Sequence, residues 1–434
     1  MIKPDALPGI LRALRHPPYR AFFAGQSISL IGTWAQTTAM GWLVWRLTQS
    51  PAMLGLITFV GRIPALIFTP AAGVIADRYP RYRLVLMAQV LAMTQAMVLA
   101  SIVLFGEPTL ATLAWLAGAL GIITAVDIPA RHAFVIELVG KVDLANAIVL
   151  NSLIFNAARI IGPMVAGGVI WSLARWAPET ISDALPEGLC FLLNGLSYTV
   201  VIGLLLRIKL PRRSRPAAAG NAARDFAEAL RFVGSRPALL DVLVYMGVVS
   251  TLGYTHAVIF PQVAQETFGH DAAGYSGLLS ATGAGAFVGA LALARGADIL
   301  RSGRMIPLAG STLGASLIVF SLTRRYEMAL ALMVLPGAAM LLQSTGTNAF
   351  IQLHVPDHFR GRVMGLFSVM FLGFYPIGSL LMGKLAEVLG PMSAIRLGGA
   401  VCLGGGLVLL ARMPRIRASA EQLRREAEEE QAIH

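Results

Sequence analysis

Charged side chains are scarce in this 434-residue chain. Asp, Glu, Lys and Arg make up 13% of it, whereas hydrophobic residues make up 56%. Because a soluble protein carries roughly 25% charged residues, this composition argues against a soluble fold. Alternation of apolar and polar residues over ten-residue blocks is also lacking, which argues against a membrane β-barrel. These two absences predict an all-α membrane protein.

In place of charge the sequence has apolar runs of about 20 residues, each long enough to cross ~30 Å of hydrocarbon. We predict twelve transmembrane helices in two pseudo-symmetric six-helix bundles, with spans at 21–48, 53–75, 84–105, 109–130, 144–172, 187–208, 239–261, 272–294, 304–322, 327–350, 361–389 and 392–412. The predicted parts are an N-terminal half at 1–208, a cytoplasmic linker at 209–238, a C-terminal half at 239–417 and a charged cytoplasmic tail at 418–434.

The linker is predicted to contain an amphipathic helix. Phe226, Leu230 and Val233 fall on one face of this helix, as in a helix that lies on a membrane surface. The linker opens with a run rich in proline, arginine and small residues, which is typical of a flexible connection.

Signals for covalent chemistry are absent as well. The sequence has no Gly-x-x-x-x-Gly-Lys-Ser/Thr loop for nucleotide phosphates, no His/Cys cluster with metal-site spacing, and no recognisable Ser-His-Asp arrangement. Its two cysteines, Cys190 and Cys402, lie far apart in apolar segments and are predicted to be free, buried thiols. The first twenty residues lack the cleavable apolar core of a signal peptide. We therefore predict neither an enzyme nor a cofactor or metal site.

Basic residues are in excess, with a formal net charge of +12. If the N-terminus is cytoplasmic, about 27 of the 35 Lys and Arg fall on the cytoplasmic side, which is the positive-inside pattern. This asymmetry predicts two cytoplasmic termini and contact with membrane lipids, and no interleaved aromatic pattern supports nucleic-acid binding. The remaining basic residues other than Arg159, Arg62 among them, are assigned to the outer side. Arg159 is then the one basic residue predicted to lie well inside a span.

An internal repeat links the two halves. The fifth-span sequence Ile-Gly-Pro-Met-Val-Ala-Gly at 161–167 aligns with Ile-Gly-Ser-Leu-Leu-Met-Gly at 377–383 of the eleventh span. A two-fold repeat of six spans predicts a substrate path at the midplane between the halves. Gly162, Pro163 and Gly167 predict a helix that can kink and that presents a smooth face.

A short charged turn, Gly-Val-Ile-Ala-Asp-Arg-Tyr-Pro-Arg-Tyr-Arg, separates the second and third spans at 73–83. Charges beside lipid need partners, so Asp77, Arg78 and Arg81 are predicted to form a cytoplasmic gate. In this hypothesis Asp77 caps the start of the eleventh helix, where Arg360 and Arg362 add charge pairing. The alternative is a solvated turn in which Asp77 only balances its basic neighbours.

Two further carboxylates extend the gate hypothesis. Asp298 occupies the corresponding turn of the second half, in Arg-Gly-Ala-Asp. Asp127 lies near the cytoplasmic end of the fourth span and is a candidate partner for Arg81. The alternative role for Asp127 is proton exchange by a partly buried acid.

These motifs resemble those of the major facilitator superfamily. The run Gly-x-Ile-Ala-Asp-Arg-x-x-Arg from residue 73 is similar to the signature between the second and third helices, although Pro80 replaces the usual Gly and Tyr82 stands where a basic residue is common. The resemblance narrows to the branch of secretion effectors and siderophore exporters at five motifs: Gly32-Thr-Trp-Ala-Gln36, Trp42-Leu-Val44, Leu47-Thr-x-Ser-Pro-x-x-Leu-Gly55, Leu144-Ala-Asn-Ala147 and Arg159-Ile-Ile-Gly-Pro163. It covers essentially the whole chain and implies a twelve-helix transporter. In that superfamily a Gly-Pro motif in the fifth helix goes with exporters, which implies efflux.

Polar side chains inside the spans are the candidates for a substrate or proton path. Arg159 is expected to face the interior, where it either binds an anionic substrate group or is satisfied by neighbours such as Asn151 and Asn156. His256, beside Tyr254, is a candidate proton carrier, with a hydrogen-bonded structural role as the alternative. The other candidates, some of which are expected to form only interhelical hydrogen bonds, are Trp34, Gln36, Gln343, Asn348 and Tyr375.

The predicted function is secondary transport by alternating access in a bacterial cytoplasmic membrane. The expected reaction is proton-driven export of an amphipathic small molecule, drug-like or siderophore-like, by a monomer. An uptake symporter or a lysophospholipid transporter of the same fold is the first alternative. A non-transporting membrane sensor or scaffold is the alternative from another class.

Overall fold

The computed structural model describes residues 9–176, 184–208, 222–295, 303–416 and 418. Every regular element in these residues is helical, which confirms the predicted all-α class. After a short 3-10 helix at Gly9–Arg15 we number the longer helices α1 (Pro17–Thr48), α2 (Pro51–Arg78), α3 (Arg81–Phe105), α4 (Leu110–Trp176), α5 (Leu185–Leu206), α6 (Ala222–Gly234), α7 (Pro237–Val248), α8 (Ala272–Arg295), α9 (Met305–Leu322), α10 (Tyr326–His354), α11 (Asp357–Ser368), α12 (Phe374–Leu389) and α13 (Pro391–Ala411).

Ten helical stretches of the described residues are long and apolar enough to cross a membrane. The fourth and fifth predicted spans share one of these stretches, because α4 continues through a break at Gly140. Gly140 has a φ of 71°, a left-handed conformation that glycine adopts without a Cβ clash. Helix α1 is not among the ten, and its 32 residues include polar side chains such as Gln26 and Gln36. The count of twelve spans therefore stays a prediction.

The seventh and eleventh predicted spans are interrupted helices. Helix α7 is followed by a π turn at Val249–Gly253, a 3-10 segment at Tyr254–Ile259 and a second π turn at Val263–Thr267. A π turn at Val369–Gly373 likewise joins α11 to α12. Such turns inside α-helices are frequent at functional sites. These interruptions were not predicted from the sequence.

Two compact units make up the chain, and each includes one short segment from the opposite half of the sequence. Unit 1 comprises Met1–Gln49, Val60–Ala219 and His270–Ser280. Unit 2 comprises Ser50–Phe59, Gly220–Gly269 and Ala281–His434. The start of α2 thus belongs to unit 2, and the first residues of α8 belong to unit 1.

The predicted linker helix is present as α6, whereas residues 209–221 and 419–434 lie outside the described part of the chain. Ala229, Phe232 and Val233 of α6 are buried, and Phe226 and Leu230 are exposed. The prediction of a shared membrane-facing side is therefore wrong for Val233. Tertiary packing buries part of the apolar face that an isolated helix would present to lipid.

Both cysteines are free and buried, as predicted. Cys190 lies on α5 in unit 1, and Cys402 lies on α13 in unit 2.

Candidate functional site

The fifth predicted span meets the first at a glycine. A Cβ added to Gly162 of α4 would lie 2.3 Å from the Cβ of Trp34 on α1 and 2.9 Å from the Ile31 carbonyl oxygen. Side-chain atoms do not approach so closely, so the absence of a side chain at Gly162 lets the two helices pack in contact. Pro163 follows inside the same helix, where it removes one backbone donor.

The eleventh span repeats this contact in the second half of the sequence. A Cβ added to Gly378 of α12 would lie 2.1 Å from the Thr251 carbonyl oxygen in the seventh span. The seventh span is the counterpart of the first in a repeat of six. Gly162 and Gly378, which align in the sequence, therefore make equivalent contacts in units 1 and 2.

The second glycine of each motif contacts a segment that its unit takes from the opposite half of the sequence. A Cβ on Gly167 would lie 2.6 Å from the Ser276 Cβ of α8, and a Cβ on Gly383 would lie 2.4 Å from the Pro51 carbonyl oxygen of α2. The eighth span is the counterpart of the second. The predicted repeat therefore recurs in the contacts of both glycines.

Serine hydrogen bonds accompany these close approaches. Ser280 Oγ of α8 donates to the Ile160 carbonyl oxygen of α4 at 3.1 Å. Ser379 Oγ of α12 donates to the Gly55 carbonyl oxygen of α2 at 3.0 Å. Each bond fixes a helix pair whose backbones are close because a glycine lies nearby.

A cluster of aromatic and cationic side chains lies about one turn before Gly162. The Arg159 guanidinium carbon is 5.9 Å from the centroid of the Trp34 ring. Phe155 packs edge-on against Trp34, with ring centroids 5.8 Å apart. Arg159 and Trp34 are half-buried, and Phe155 is 47% exposed. This cation–aromatic cluster of Trp34, Phe155 and Arg159 offers a guanidinium, which suits a planar anionic group, and aromatic surface, which suits an apolar ring.

The asparagines suggested as neighbours of Arg159 have other partners. The Tyr19 hydroxyl donates to Asn151 Oδ1 at 3.1 Å. Asn156 donates to the Ser152 carbonyl oxygen at 2.9 Å, within its own helix. These bonds give no support to a structural role for the two asparagines in satisfying Arg159.

A second arginine lies well inside a span. Arg62 is about eleven residues, or ~16 Å, from the start of α2 at Pro51. This depth is about half of a ~30 Å hydrocarbon layer. The assignment of Arg62 to the outer side is therefore wrong, and Arg159 is not the only basic residue at depth.

Asp127 is neutralised within the first half. It pairs with Arg131 one turn later on α4 and accepts a hydrogen bond from Gln89 of α3 at 3.3 Å. Arg131 also donates to Gln26 of α1 at 3.0 Å. The predicted pair between Asp127 and Arg81 is wrong, because these nearer helix neighbours surround a carboxylate that is only 5% exposed.

Arg81 instead pairs with Glu137 at 3.2 Å. This bond joins the start of α3 to the part of α4 just before Gly140, so both connections lie at one end of the first half. The side chains of Asp77 and Arg78, at the end of α2, lie outside the described part of the structure, as does all of Asp298. A gating role for these three residues stays a prediction.

The basic start of the eleventh span is engaged by α6. Arg362 pairs with Glu228 at 2.9 Å, and the Phe232 and Phe359 rings stack with centroids 4.2 Å apart. Arg360 donates to a backbone carbonyl oxygen of the preceding connection at 3.5 Å. The Arg362–Glu228 ion pair and the Phe232–Phe359 stack therefore contribute to anchoring α6 on α11.

The N-terminal 3-10 helix is anchored on the start of the fifth span. Asp143 is bonded to Arg12 at 2.8 Å, to Arg15 at 2.8 Å and to His16 at 2.7 Å. The Asp143 residue is only 2% exposed. The hydrogen bond from His16, and then the two arginines, lower the pKa of this carboxyl, which lies in the connection after the Gly140 break.

Gln36 belongs to a buried amide network in the first half. It donates to Gln95 at 3.2 Å and accepts from Asn194 at 2.8 Å. Gln95 in turn donates to the Leu116 carbonyl oxygen at 3.2 Å. Gln36 is 3% exposed, so its geometry fits the interhelical alternative and not a cavity lining.

The polar candidates of the second half are mostly buried too. Tyr254 donates to Gln343 at 2.6 Å, and Gln343 is fully buried. His256 is fully buried in the 3-10 segment, with Nδ1 2.5 Å from a backbone carbonyl oxygen one turn earlier. This geometry fits a structural histidine, and its proton role stays a hypothesis. Asn348, which is bonded to Gln352, and Tyr375 are half-buried.

Several paired carboxylates at helix ends and connections were not predicted from the sequence, among them Glu137, Asp143 and Glu228. Each lies in or beside a basic connection, and an acid among several cations was the available signal. Among the described residues no group of three or more His, Cys, Asp or Glu side chains could hold a metal ion.

Comparison with known proteins adds the family. A family model described as transmembrane secretion effector matches residues 9–433. The chain is 26% identical over 411 residues to the enterobactin exporter EntS of Citrobacter koseri, with 93% of each chain covered. It is 23% identical over 371 residues to the staphyloferrin A transporter of Staphylococcus aureus, which covers 85% of this chain and 89% of that protein.

Solved transporters share the fold. A peptide transporter POT has a TM-score of 0.74 at 13% identity, covering 92% of this chain and 95% of that one. A bacterial homolog of the human lysosomal transporter Spinster has a TM-score of 0.67 at 14% identity, covering 94% and 98%. At these identities the likeness concerns the fold alone.

Proposed function

We propose that this chain, which belongs to the transmembrane secretion effector family of major facilitator transporters, exports amphipathic small molecules in exchange for protons. It is a multi-pass membrane transporter of small-molecule substrates and not an enzyme. The proposal adds the direction, the mechanism, the coupling ion and a siderophore-like substrate. It places the chain in a bacterial inner membrane as a monomer with both termini in the cytoplasm, as the charge asymmetry predicts.

The observation that carries an alternating-access mechanism is the matching pair of glycine contacts. Gly162 and Gly378 hold each fifth-type helix against its first-type helix. Gly167 and Gly383 contact segments from the opposite half of the sequence. A repeat whose two halves make equivalent contacts is the architecture in which alternating access occurs by rocking of one half against the other.

Export of a siderophore-like molecule is supported by the relatives and by the first half. EntS is named an exporter of enterobactin, and its likeness to this chain extends over 93% of both. The cation–aromatic cluster around Trp34 supplies both a charge and ring surfaces. An amphipathic molecule needs both kinds of contact, because its polar and apolar parts must leave water and lipid together.

The gate is part of the proposal. Asp77 lies at the end of α2, beside the connection that Arg81 and Glu137 hold to α4. In this mechanism Asp77 caps the start of the eleventh span in one state and releases it in the other. Asp77→Asn should then slow transport strongly while leaving substrate affinity unchanged. Normal transport by this variant would rule the gate out.

Flux into proteoliposomes tests the function. The full-length chain is reconstituted and supplied with iron-free enterobactin as the probe, with an imposed proton gradient across the vesicle membrane. We expect accumulation against the probe gradient when the compartment that receives it is acidic, and loss of accumulation when a protonophore is added. Protein-free liposomes give the background.

Two outcomes would contradict parts of this proposal. Flux that is indifferent to the proton gradient would remove proton coupling while leaving export in place. No flux of enterobactin under any gradient would remove the siderophore-like substrate.

A further inference from the structure

Helix α6 lies where two membrane stretches of unit 2 begin. It ends three residues before Pro237, the start of one apolar stretch that is long enough to cross a membrane. Its Phe232 ring stacks on Phe359, the second residue of another such stretch. Because apolar stretches of this length begin at the edge of the hydrocarbon layer, α6 lies at the membrane boundary.

One face of α6 is exposed, and it is apolar and basic. Phe226 is 40% exposed and Leu230, one turn later, is 47% exposed. The other exposed residues among the described side chains of α6 are Ala227, Arg231 and Gly234. At 100° per residue these five positions fall within about 140° around the helix. We call this side the open face of α6, and Arg231 is the charged residue that it carries.

The charges of this region favour an anionic partner. Glu228, the acid of α6 whose side chain the structure describes, lies about 60° outside the open face and pairs with Arg362. The sequence from 207 to 236 has eight Lys or Arg and two acids, an excess of six positive charges. Basic segments beside a membrane are attracted to anionic lipids, and amphipathic helices bury their apolar side between head groups and acyl chains.

The corresponding helix of the first half buries its leucines. The 3-10 helix at Gly9–Arg15 precedes the first span as α6 precedes the seventh. Its Leu11 and Leu14 are half-buried and pack against the hydrophobic core of unit 1. An exposed apolar pair is therefore not a general property of a helix in this position, and the pair on α6 calls for a partner.

We propose that the open face of α6 binds an anionic phospholipid surface, with Phe226 and Leu230 inserted between head groups and acyl chains and Arg231 bonded to lipid phosphate. The basic residues before α6 add attraction to the same surface. Helix α6 then joins the lipid surface to the start of the eleventh span, because it also contacts Arg362 and Phe359. The proposal goes beyond transport and requires neither export nor proton coupling.

Spin-label accessibility in nanodiscs tests this surface. A nitroxide at Ala227→Cys reports on the open face, since Cys190 and Cys402 are buried. Each disc holds one full-length chain in phosphatidylcholine, with or without phosphatidylglycerol. Molecular oxygen concentrates in lipid and a neutral nickel chelate stays in water, so the ratio of their collision rates gives the depth of the label. We expect the label to lie in lipid when phosphatidylglycerol is present and to move toward water in phosphatidylcholine alone.

Matched variants separate the charge from the apolar contact. Arg231→Gln should raise the phosphatidylglycerol fraction needed for half of this shift about fivefold, the factor that one basic residue contributes near an anionic surface. Arg20→Gln removes the same charge from an exposed position near the start of α1 and should leave that fraction unchanged. Leu230→Gln should move the label toward water in both kinds of disc. Thermal unfolding of each variant checks that the chain is folded.

A label that lies in water in both kinds of disc would overturn the proposal, as would a depth that does not depend on lipid charge. Protection from both reagents in every disc would show that a segment of this chain covers the face instead. Protection that appears only in discs prepared with two chains would show that a second copy covers it.

These measurements use neither a substrate nor a proton gradient, so they are separate from the test of export. Absence of enterobactin flux with the lipid dependence intact would remove the siderophore-like substrate and keep this surface. Normal flux with the label in water would remove this surface and keep the exporter.

Discussion

The N-terminal 3-10 helix and helix α6 occupy equivalent places in the two halves but are anchored by opposite charges. The 3-10 helix precedes the first span and is bonded to Asp143 at the start of the fifth. Helix α6 precedes the seventh span and pairs through Glu228 with Arg362 at the start of the eleventh. In unit 1 the acid is on the span, and in unit 2 the acid is on the leading helix. The two anchors thus occupy equivalent positions in the repeat, but the acidic and the basic residues are exchanged between the leading helix and the span.

The spans themselves differ in the same way. The first half places arginines and an acid inside its spans, at Arg62, Asp127 and Arg159. The second half uses neutral buried groups, such as Tyr254 bonded to Gln343, and interrupts two of its spans with π turns. Among the described residues the two halves thus differ in where charged side chains lie inside the spans and in where the helices are interrupted.

The largest effect is expected at the glycines that make the two halves alike. Gly162→Ala and Gly378→Ala should each destabilise the chain by about 1–3 kcal/mol, because the new Cβ overlaps Trp34 or the Thr251 carbonyl. Thermal unfolding in detergent measures this. Gly168→Ala is the matched control, since a Cβ there has no heavy atom within 4 Å. Equal destabilisation by all three would mean that close packing is not the cause.

The inverted anchors can be tested by charge exchange. Arg362→Glu opposes Glu228 with a like charge and should weaken the docking of α6 by about 1 kcal/mol, a modest value because both side chains are about one-third exposed. Hydrogen exchange of α6 amides reports the docking. Adding Glu228→Arg should restore protection. A double variant no better than the single one would show that contacts other than this ion pair, such as the Phe232–Phe359 stack, hold α6.

The π turns have no counterpart in the described spans of the first half, and one hydrogen bond joins two of them. Ser250 donates to the Phe371 carbonyl oxygen at 2.6 Å. Ser250→Ala should cost about 0.6 kcal/mol, the typical value for such a bond between membrane helices. Thermal unfolding again measures the change, with Ser368→Ala, whose hydroxyl is exposed and bonds within its own helix, as the control. A loss as small as in the control would show that the bond does not hold the interruptions together.

The smallest effect is expected from pH at the first anchor. Because the pKa of Asp143 is lowered, its bonds stabilise the folded chain above the ordinary carboxyl pKa and are lost only as pH falls through the lowered value. Protection of residues 9–16 against hydrogen exchange should be the same at pH 7 and pH 5 and decline only below about pH 4. Asp143→Asn should reduce it at pH 7 and at pH 5 alike, and the difference from the parent chain should shrink as Asp143 itself is protonated. A loss between pH 7 and pH 5 would contradict the assignment.

The features that the sequence predicted well are those with a long or periodic signal. Apolar runs predicted the all-helical class, and the spacing of Gly162 and Gly167 identified a motif whose contacts recur at Gly378 and Gly383. Such patterns can be recognised from the sequence because every residue in the pattern indicates the same environment.

Individual partners could not be predicted in this way. Asp127 had Arg81 and Arg131 as possible partners, and only the packing of α1, α3 and α4 selects Arg131. The buried side of α6 depends on α11, which lies more than a hundred residues away in the sequence. The sequence assigned Arg62 to the outer side of the membrane by counting the basic residues on each side. Such a count ignores how far along its helix each residue lies.

Alternating access is the central claim, and the most direct measurement is a pair of spin-label distances in the reconstituted chain. One pair joins Arg83→Cys of α3 to Gly361→Cys of α11, and the other joins Phe105→Cys of α3 to Arg324→Cys before α10; all four positions are exposed. Adding enterobactin or changing the pH should lengthen one distance while shortening the other, as rocking of one half against the other requires. Two distances that stay fixed, or that change in the same direction, would contradict the mechanism.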